Sequence, residues 1–179
     1  MFTPTWQAVD LARATPTLDT WVTLYRLPRA VVFGLVAMES NFKPNAIRQE
    51  PKINDASYGL TQILYRTAQG LGYRGTTAGL FVPDTNVQYG LLYLRQMLDR
   101  FGAVDKALSA YNGGLFSGTI HNQPYVDGVL ARAEYFNAAW APVVLPDQVV
   151  TDSANEGLPW WIVIGLGALI GLGVFYGSK

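Results

Sequence analysis

Nine consecutive apolar residues, Ala30 to Met38, run without interruption into a carboxylate, Glu39, followed by Ser40-Asn41-Phe42-Lys43-Pro44. Pro28 suits the opening turn of a helix, where its missing N–H costs nothing. Pro44 lies where that helix must break. A run of this kind belongs in a core, so the fold has to be built around it. It also delivers a carboxyl group to the wall of that core, where a charge is costly unless paired or protonated. Burial raises a carboxyl pKa, and a proton held near neutral pH in an apolar wall is what a general acid needs. The competing reading is that Glu39 pairs with a nearby arginine and only secures a helix end.

The rest of the chain reads as helical around this segment. Trp6 to Ala14 and Leu18 to Tyr25 are amphipathic stretches. After an irregular polar segment, Asn45 to Ser57, Leu60, Ile63, Leu64 and Ala68 recur at helical spacing over Tyr58 to Gly70. Asp84 or Thr85 can cap a helix over Asn86 to Arg100, with Val87, Leu91, Leu94 and Leu98 on one face. A shorter helix, Asp105 to Asn112, ends at Gly113-Gly114, and a last one covers Tyr125 to Trp140. No convincing run alternates with period two. The expectation is an all-α domain of roughly six to eight helices over residues 1–141.

Thirteen basic and thirteen acidic residues cancel without a basic block, which speaks against nucleic acid as a partner. The absence of cysteine removes disulfides, thiol nucleophiles and cysteine metal sites. The single histidine, His121, stands in a polar stretch, so neither a histidine-rich metal site nor a Ser-His-Asp triad is expected. No metal and no cofactor is implied. The charged fraction, 15% against 50% apolar residues, is lean for a purely soluble domain. Residues 142–159 carry three prolines and three acids and read as a linker. Residues 160–176 carry no charge and are flanked by Trp160, Trp161 and Tyr176. A helix of that length spans about 26 Å, and the segment reads as a single transmembrane helix in a lipid membrane. Gly167 and Gly171 within it permit helix–helix association. No conventional signal peptide opens the sequence.

Four short segments then fall in order: Glu39-Ser40-Asn41-Phe42-Lys43-Pro44-Asn45-Ala46, Ser57-Tyr58-Gly59-Leu60-Thr61-Gln62-Ile63, Asn86-Val87-Gln88-Tyr89-Gly90-Leu91-Leu92-Tyr93-Leu94 and Ala110-Tyr111-Asn112-Gly113-Gly114. Their order and spacing resemble the soluble lytic transglycosylase catalytic domain, a relative of goose-type lysozyme, with core motifs over residues 28–139. The resemblance implies a lysozyme-like helical fold. It also implies cleavage of the β-1,4 bond between N-acetylmuramic acid and N-acetylglucosamine in peptidoglycan glycan strands, with a 1,6-anhydro product. Glu39 would be the sole catalytic carboxyl group, acid and then base. Gln62, Tyr111, Tyr125 and Ser57 would contact substrate, the Tyr111 hydroxyl orienting Glu39 or the N-acetyl group. Asn112 would end its helix rather than touch substrate, and Asn86 and Gly90 would be structural.

The chain departs from the family where a serine often follows Pro-x-Ala: here Ala46 is followed by Ile47 and Arg48. Arg48 can pair with Glu39, which would weaken the acid, or with Glu50 or Asp55. Asp55 also opens a rival mechanism, an inverting hydrolase with water between two carboxylates; the alternative is that it caps the next helix. A membrane-anchored peptidoglycan-binding protein without catalysis is a third reading. The acids ahead of residue 160 and Lys179 behind 176 place the catalytic domain outside the cytoplasmic membrane. Together with the missing signal peptide this points to a phage virion-associated enzyme, a bacterial envelope enzyme being the other setting.

Overall fold

A computed structural model of the protein describes residues 2–114 and 119–140. Six helices are described: α1 (Ala8–Tyr25), α2 (Arg29–Ser40), α3 (Tyr65–Gly70), α4 (Pro83–Phe101), α5 (Val104–Gly113) and α6 (Gln123–Trp140). Between α2 and α3 lies an antiparallel sheet of three short strands in the order β1 (Ile47–Glu50), β2 (Asp55–Tyr58) and β3 (Ile63–Leu64).

The apolar run forms α2, and nearly all of it is buried: Val32, Phe33, Leu35 and Val36 have no exposed surface. Around it pack Leu18 of α1, Leu91 and Leu94 of α4, Leu108 of α5 and Val126, Val129 and Phe136 of α6. The closest approach is to α6. A methyl group on Gly34 would sit 2.6 Å from the Val129 carbonyl oxygen and 2.9 Å from the Ala133 nitrogen. Both are backbone atoms and cannot swing aside. Gly34→Ala is therefore expected to push α2 and α6 apart and to cost about 1–3 kcal/mol, read as a lowered Tm in thermal unfolding.

Two expectations are corrected. The domain is not all-α: the segment expected to be helical from Tyr58 contains the end of β2, a turn over residues 59–62 and β3 before α3 begins at Tyr65. The strands have four, four and two residues, too short for alternation to register against the helical spacing of Leu60, Ile63 and Leu64. Second, no helix among the described residues is long and apolar enough to cross a membrane. The long ones, α1 and α6 with 18 residues and α4 with 19, are two-faced: α4 alone carries Asp84, Arg95, Asp99 and Arg100. The proposed linker, 142–159, and membrane helix, 160–176, lie outside the described residues, as do Gly167 and Gly171. The fold is a mostly helical, lysozyme-like domain with a small sheet, and the membrane-spanning reading is withdrawn.

Smaller differences have local causes. The two N-terminal stretches are one helix, α1, continuing through Pro16. Helix α4 starts at Pro83, three residues earlier than the capping signals suggested, with Pro at a first-turn position where it is tolerated. Asp84 there accepts a hydrogen bond from the Trp21 indole at 2.8 Å, tying α4 to α1.

Candidate active site

Glu39 is the next-to-last residue of α2. The helix stops because Asn41 and Phe42 both take left-handed backbone conformations, φ 51° and 62°. Neither is glycine, so this turn must be held by its surroundings. Phe42 supplies one hold: its ring is buried against Phe33, Trp6 and Phe136, with centroids 6.2, 5.5 and 6.0 Å away. Ser40 supplies the other, its hydroxyl lying 2.8 Å from the Leu60 carbonyl oxygen. Glu39 is thus fixed between a packed aromatic cluster and the turn over residues 59–62.

That turn is the centre of the site. Gly59 takes φ +69°, and a side chain there would strike the Leu80 carbonyl and the Asn86 side chain, so only glycine fits. Asn86 is buried and uses its whole hydrogen-bonding capacity. It accepts from the Thr61 amide at 2.9 Å and the Thr61 hydroxyl at 2.8 Å, and donates to the Tyr58 and Leu80 carbonyls at 2.7 and 2.8 Å. Gly90, one turn along α4, lies against the Thr61 side chain where a methyl group would collide. Tyr111 of α5 donates its hydroxyl to the Thr61 carbonyl at 2.8 Å. Gln62 completes the turn with φ 48° and donates its carboxamide N–H groups to the Ala46 and Gly59 carbonyls at 3.1 and 3.0 Å. Two carbonyl partners fix which end of that carboxamide is nitrogen, and its oxygen remains as an acceptor.

Beside this turn opens a cavity of about 330 Å³ lined by Glu39, Arg48, Glu50, Ser57, Gln62, Tyr93, Tyr111, Asn112, Gly113 and Gly114, with Ile53, Ile63, Leu64 and Thr67. The Glu39 carboxyl is pushed up to about 7, above all by burial, while the Tyr125 hydrogen bond and the Arg48 charge pull it down and Glu50 pushes it up. The Tyr125 hydroxyl of α6 donates to Glu39 Oε1 at 2.5 Å. Burial and the neighbouring Glu39 raise the pKa of both Tyr125 and Tyr111, so both remain hydrogen-bond donors. Arg48 is paired with Glu50, Nε to Oε1 2.6 Å. Asp55 is absent from the cavity lining and accepts from the Ala56 amide at 2.7 Å and from the Arg66 amide in the first turn of α3 at 3.1 Å.

The Transglycosylase SLT domain family matches residues 17–123, which include all four motif segments. The chain belongs to this family. A protein named "Transglycosylase" from Enterobacteria phage PRD1 is 33% identical over 109 residues, 61% of this chain and 34% of that protein. The chain therefore matches only about a third of the length of that relative. Among solved structures, the lytic transglycosylase Slt of Pseudomonas aeruginosa, an inactive E503Q mutant, has a TM-score of 0.58 at 24% identity. The match covers 70% of this chain and 24% of that one. The 70-kDa soluble lytic transglycosylase in complex with bulgecin A has a TM-score of 0.60 at 21% identity, covering 71% and 24%. At these identities the two structures speak for the fold.

Within this SLT domain, Glu39, Gln62, Tyr111 and Ser57 come together around one cavity. Tyr125 does not line it but reaches the Glu39 carboxyl group through its hydroxyl. The Tyr111 hydroxyl, expected to orient Glu39 or the N-acetyl group, instead holds the backbone of the 59–62 turn, and Tyr125, expected to contact substrate, holds Glu39. Asn112, expected only to end its helix, lines the cavity. Its Oδ1 accepts from the Asn122 carboxamide at 2.6 Å, and Asn122 Oδ1 in turn accepts from the Ser109 hydroxyl at 2.6 Å. Among the described residues this chain of bonds does not draw on the Asn112 carboxamide N–H groups. Tyr93 also lines the cavity without a signal in the sequence, and Glu50 enters the sequence reading only as a carboxylate open to Arg48. The spacing Arg48-x-Glu50 was a usable signal for Glu50, because residues two apart on a strand share a face.

Proposed function

We propose that this chain is a peptidoglycan lytic transglycosylase. It would cleave the β-1,4 bond between N-acetylmuramic acid and N-acetylglucosamine and release a 1,6-anhydro end, with Glu39 as acid and base. The observation carrying this reading is the half-buried Glu39 carboxyl, raised to about 7 and held by Tyr125 in the wall of a cavity of small-ligand size. Oε1 accepts from Tyr125, so in the neutral acid the proton resides on Oε2. That proton passes to the glycosidic oxygen as the bond from the anomeric carbon breaks. The substrate's own acetamido oxygen stabilises the positive carbon, an arrangement that dispenses with a second carboxylate. Glu39, now ionised, removes the proton of the sugar's 6-hydroxyl, whose oxygen closes onto the anomeric carbon. The acid is restored and no water is consumed.

The polar lining fits an acetamido sugar. The Gln62 oxygen can accept from an acetamido N–H, and the Asn112 N–H groups can donate to a sugar oxygen. The phage relative supports a phage-borne setting, with the enzyme carried in the virion to open the host wall locally during genome entry. Finding the chain in purified particles tests that setting.

Hydrolysis is the second reading, because a second acid, Glu50, lines the cavity beside Glu39. Asp55 no longer supports it, since its carboxylate is spent on two backbone amides. Mass spectrometry of the fragments released from purified wall separates the two. The transglycosylase reading expects muropeptides lighter by one water than hydrolysis products, and reducing ends would overturn it.

A further inference from the structure

Among the described residues, three charged side chains line the cavity: Glu39, Arg48 and Glu50. Arg48 and Glu50 are two apart on β1 and therefore share a strand face. Ser57, directly opposite Arg48 in the β1–β2 register, shares it too, and its hydroxyl lies 3.4 Å from Glu50 Oε1. The Arg48 side chain is 61% exposed and that of Glu50 30%. A long, solvated guanidinium thus stands at the mouth of the cavity, held through Nε by a single carboxylate. Among the described residues, Tyr125 from α6 and Tyr111 from α5 act on Glu39 directly, and Tyr93 from α4 and Gln62 from the 59–62 turn line the same cavity. None of these competes for a cation.

We propose that Glu50 is a positioning residue: by occupying Arg48 it keeps the guanidinium from forming an ion pair with Glu39. An isolated surface ion pair contributes little to stability, so stability alone does not account for the Arg48–Glu50 pair. What it does here is electrostatic. A cation brought against Glu39 would favour the carboxylate and discharge the acid. Glu50 opposes this twice, by engaging the cation and by adding its own negative charge to the cavity, and loss of Glu50 acts in one direction on both counts. The Arg48 that replaces the serine often found in this family would otherwise be incompatible with a protonated Glu39. The Arg48-x-Glu50 pairing is what reconciles them.

The inference rests on Glu39 being the acid, and its test separates the two. In wild type, Glu50→Gln, Arg48→Gln and the double variant, the pH dependence of wall cleavage is measured together with the carbon-13 NMR titration of the Glu39 carboxyl, which needs no activity. Glu50→Gln is expected to lower the Glu39 midpoint by about one pH unit and to slow cleavage about tenfold at pH 8. Adding Arg48→Gln is expected to return the midpoint to the wild-type position or above. A purely structural role for Glu50 would lower activity at every pH and leave the titration unmoved. An unchanged midpoint in Glu50→Gln, or a low midpoint that persists in the double variant, overturns the proposal. A wild type that titrates as expected but never cleaves wall overturns the functional reading instead.

Discussion

Glu39→Gln is expected to slow wall cleavage by about a thousandfold or more, the scale of a lost general acid that also serves as base. The same change is expected to stabilise the protein at alkaline pH. The ordinary carboxyl value is 4.5 and the folded one about 7. Below 4.5 the group is neutral in both folded and unfolded chains and contributes no difference. Between these values the folded protein keeps a proton that the unfolded chain has lost, so stability falls as pH rises. Above 7 the full cost of a buried carboxylate remains, up to about 3 kcal/mol. Glutamine carries no such charge and still accepts from Tyr125. Thermal unfolding of the two proteins should coincide near pH 4 and separate steadily up to pH 8, with the variant the more stable. Equal Tm values at pH 8 would mean that Glu39 is not held in a strained ionisation state. An active variant would remove Glu39 from the chemistry altogether.

The second large effect is expected at Asn86, remote from any sugar contact. Asn86→Ala removes the side-chain partner of the Thr61 amide and of the Tyr58 and Leu80 carbonyls, and leaves the Thr61 hydroxyl only its 3.4 Å bond to the carbonyl of residue 86. Buried polar groups left unpaired cost about 1–3 kcal/mol each before relaxation. Allowing for relaxation, a loss of about 4 kcal/mol is expected, and a fall in Tm of about 10 °C or more. Because the 59–62 turn carries Gln62 and receives the Ser40 and Tyr111 hydroxyls, the fraction that still folds should also cleave poorly. A drop of only a degree or two would show that water or neighbouring groups take over these bonds.

The helices were legible because apolar spacing over ten or more residues outweighs local accidents. Val87, Leu91 and Leu94 marked the inner face of α4, and all three are buried. The sheet was not legible, since a strand such as Ile63–Leu64 offers two residues and period two needs more. The motif residues could be picked out, but not the division of labour among them. Nothing local to Tyr125 indicates that its hydroxyl will meet a carboxylate 86 positions away. That meeting depends on α2 and α6 touching at Gly34. Tyr111 looked like the partner of Glu39 because sequence shows that an aromatic is needed near the acid, not which carbonyl its hydroxyl will find. In the sequence Asn86 beside Gly90 signals only a structural position, whereas it is a four-bond hub, a role fixed only once the 59–62 turn is folded against it. The sequence offers Arg48 three carboxylates, and β1 decides among them by placing Glu50 on the same strand face.

The claim on which all of this depends is that Glu39 keeps its proton to near neutrality inside the cavity. Carbon-13 NMR titration of the glutamate side chains in the wild-type protein, with Glu39→Gln identifying the resonance, tests it without substrate. A Glu39 midpoint near pH 7, matching the alkaline fall of the cleavage rate, is the predicted result. A midpoint in the ordinary carboxylate range, about pH 4, would contradict it.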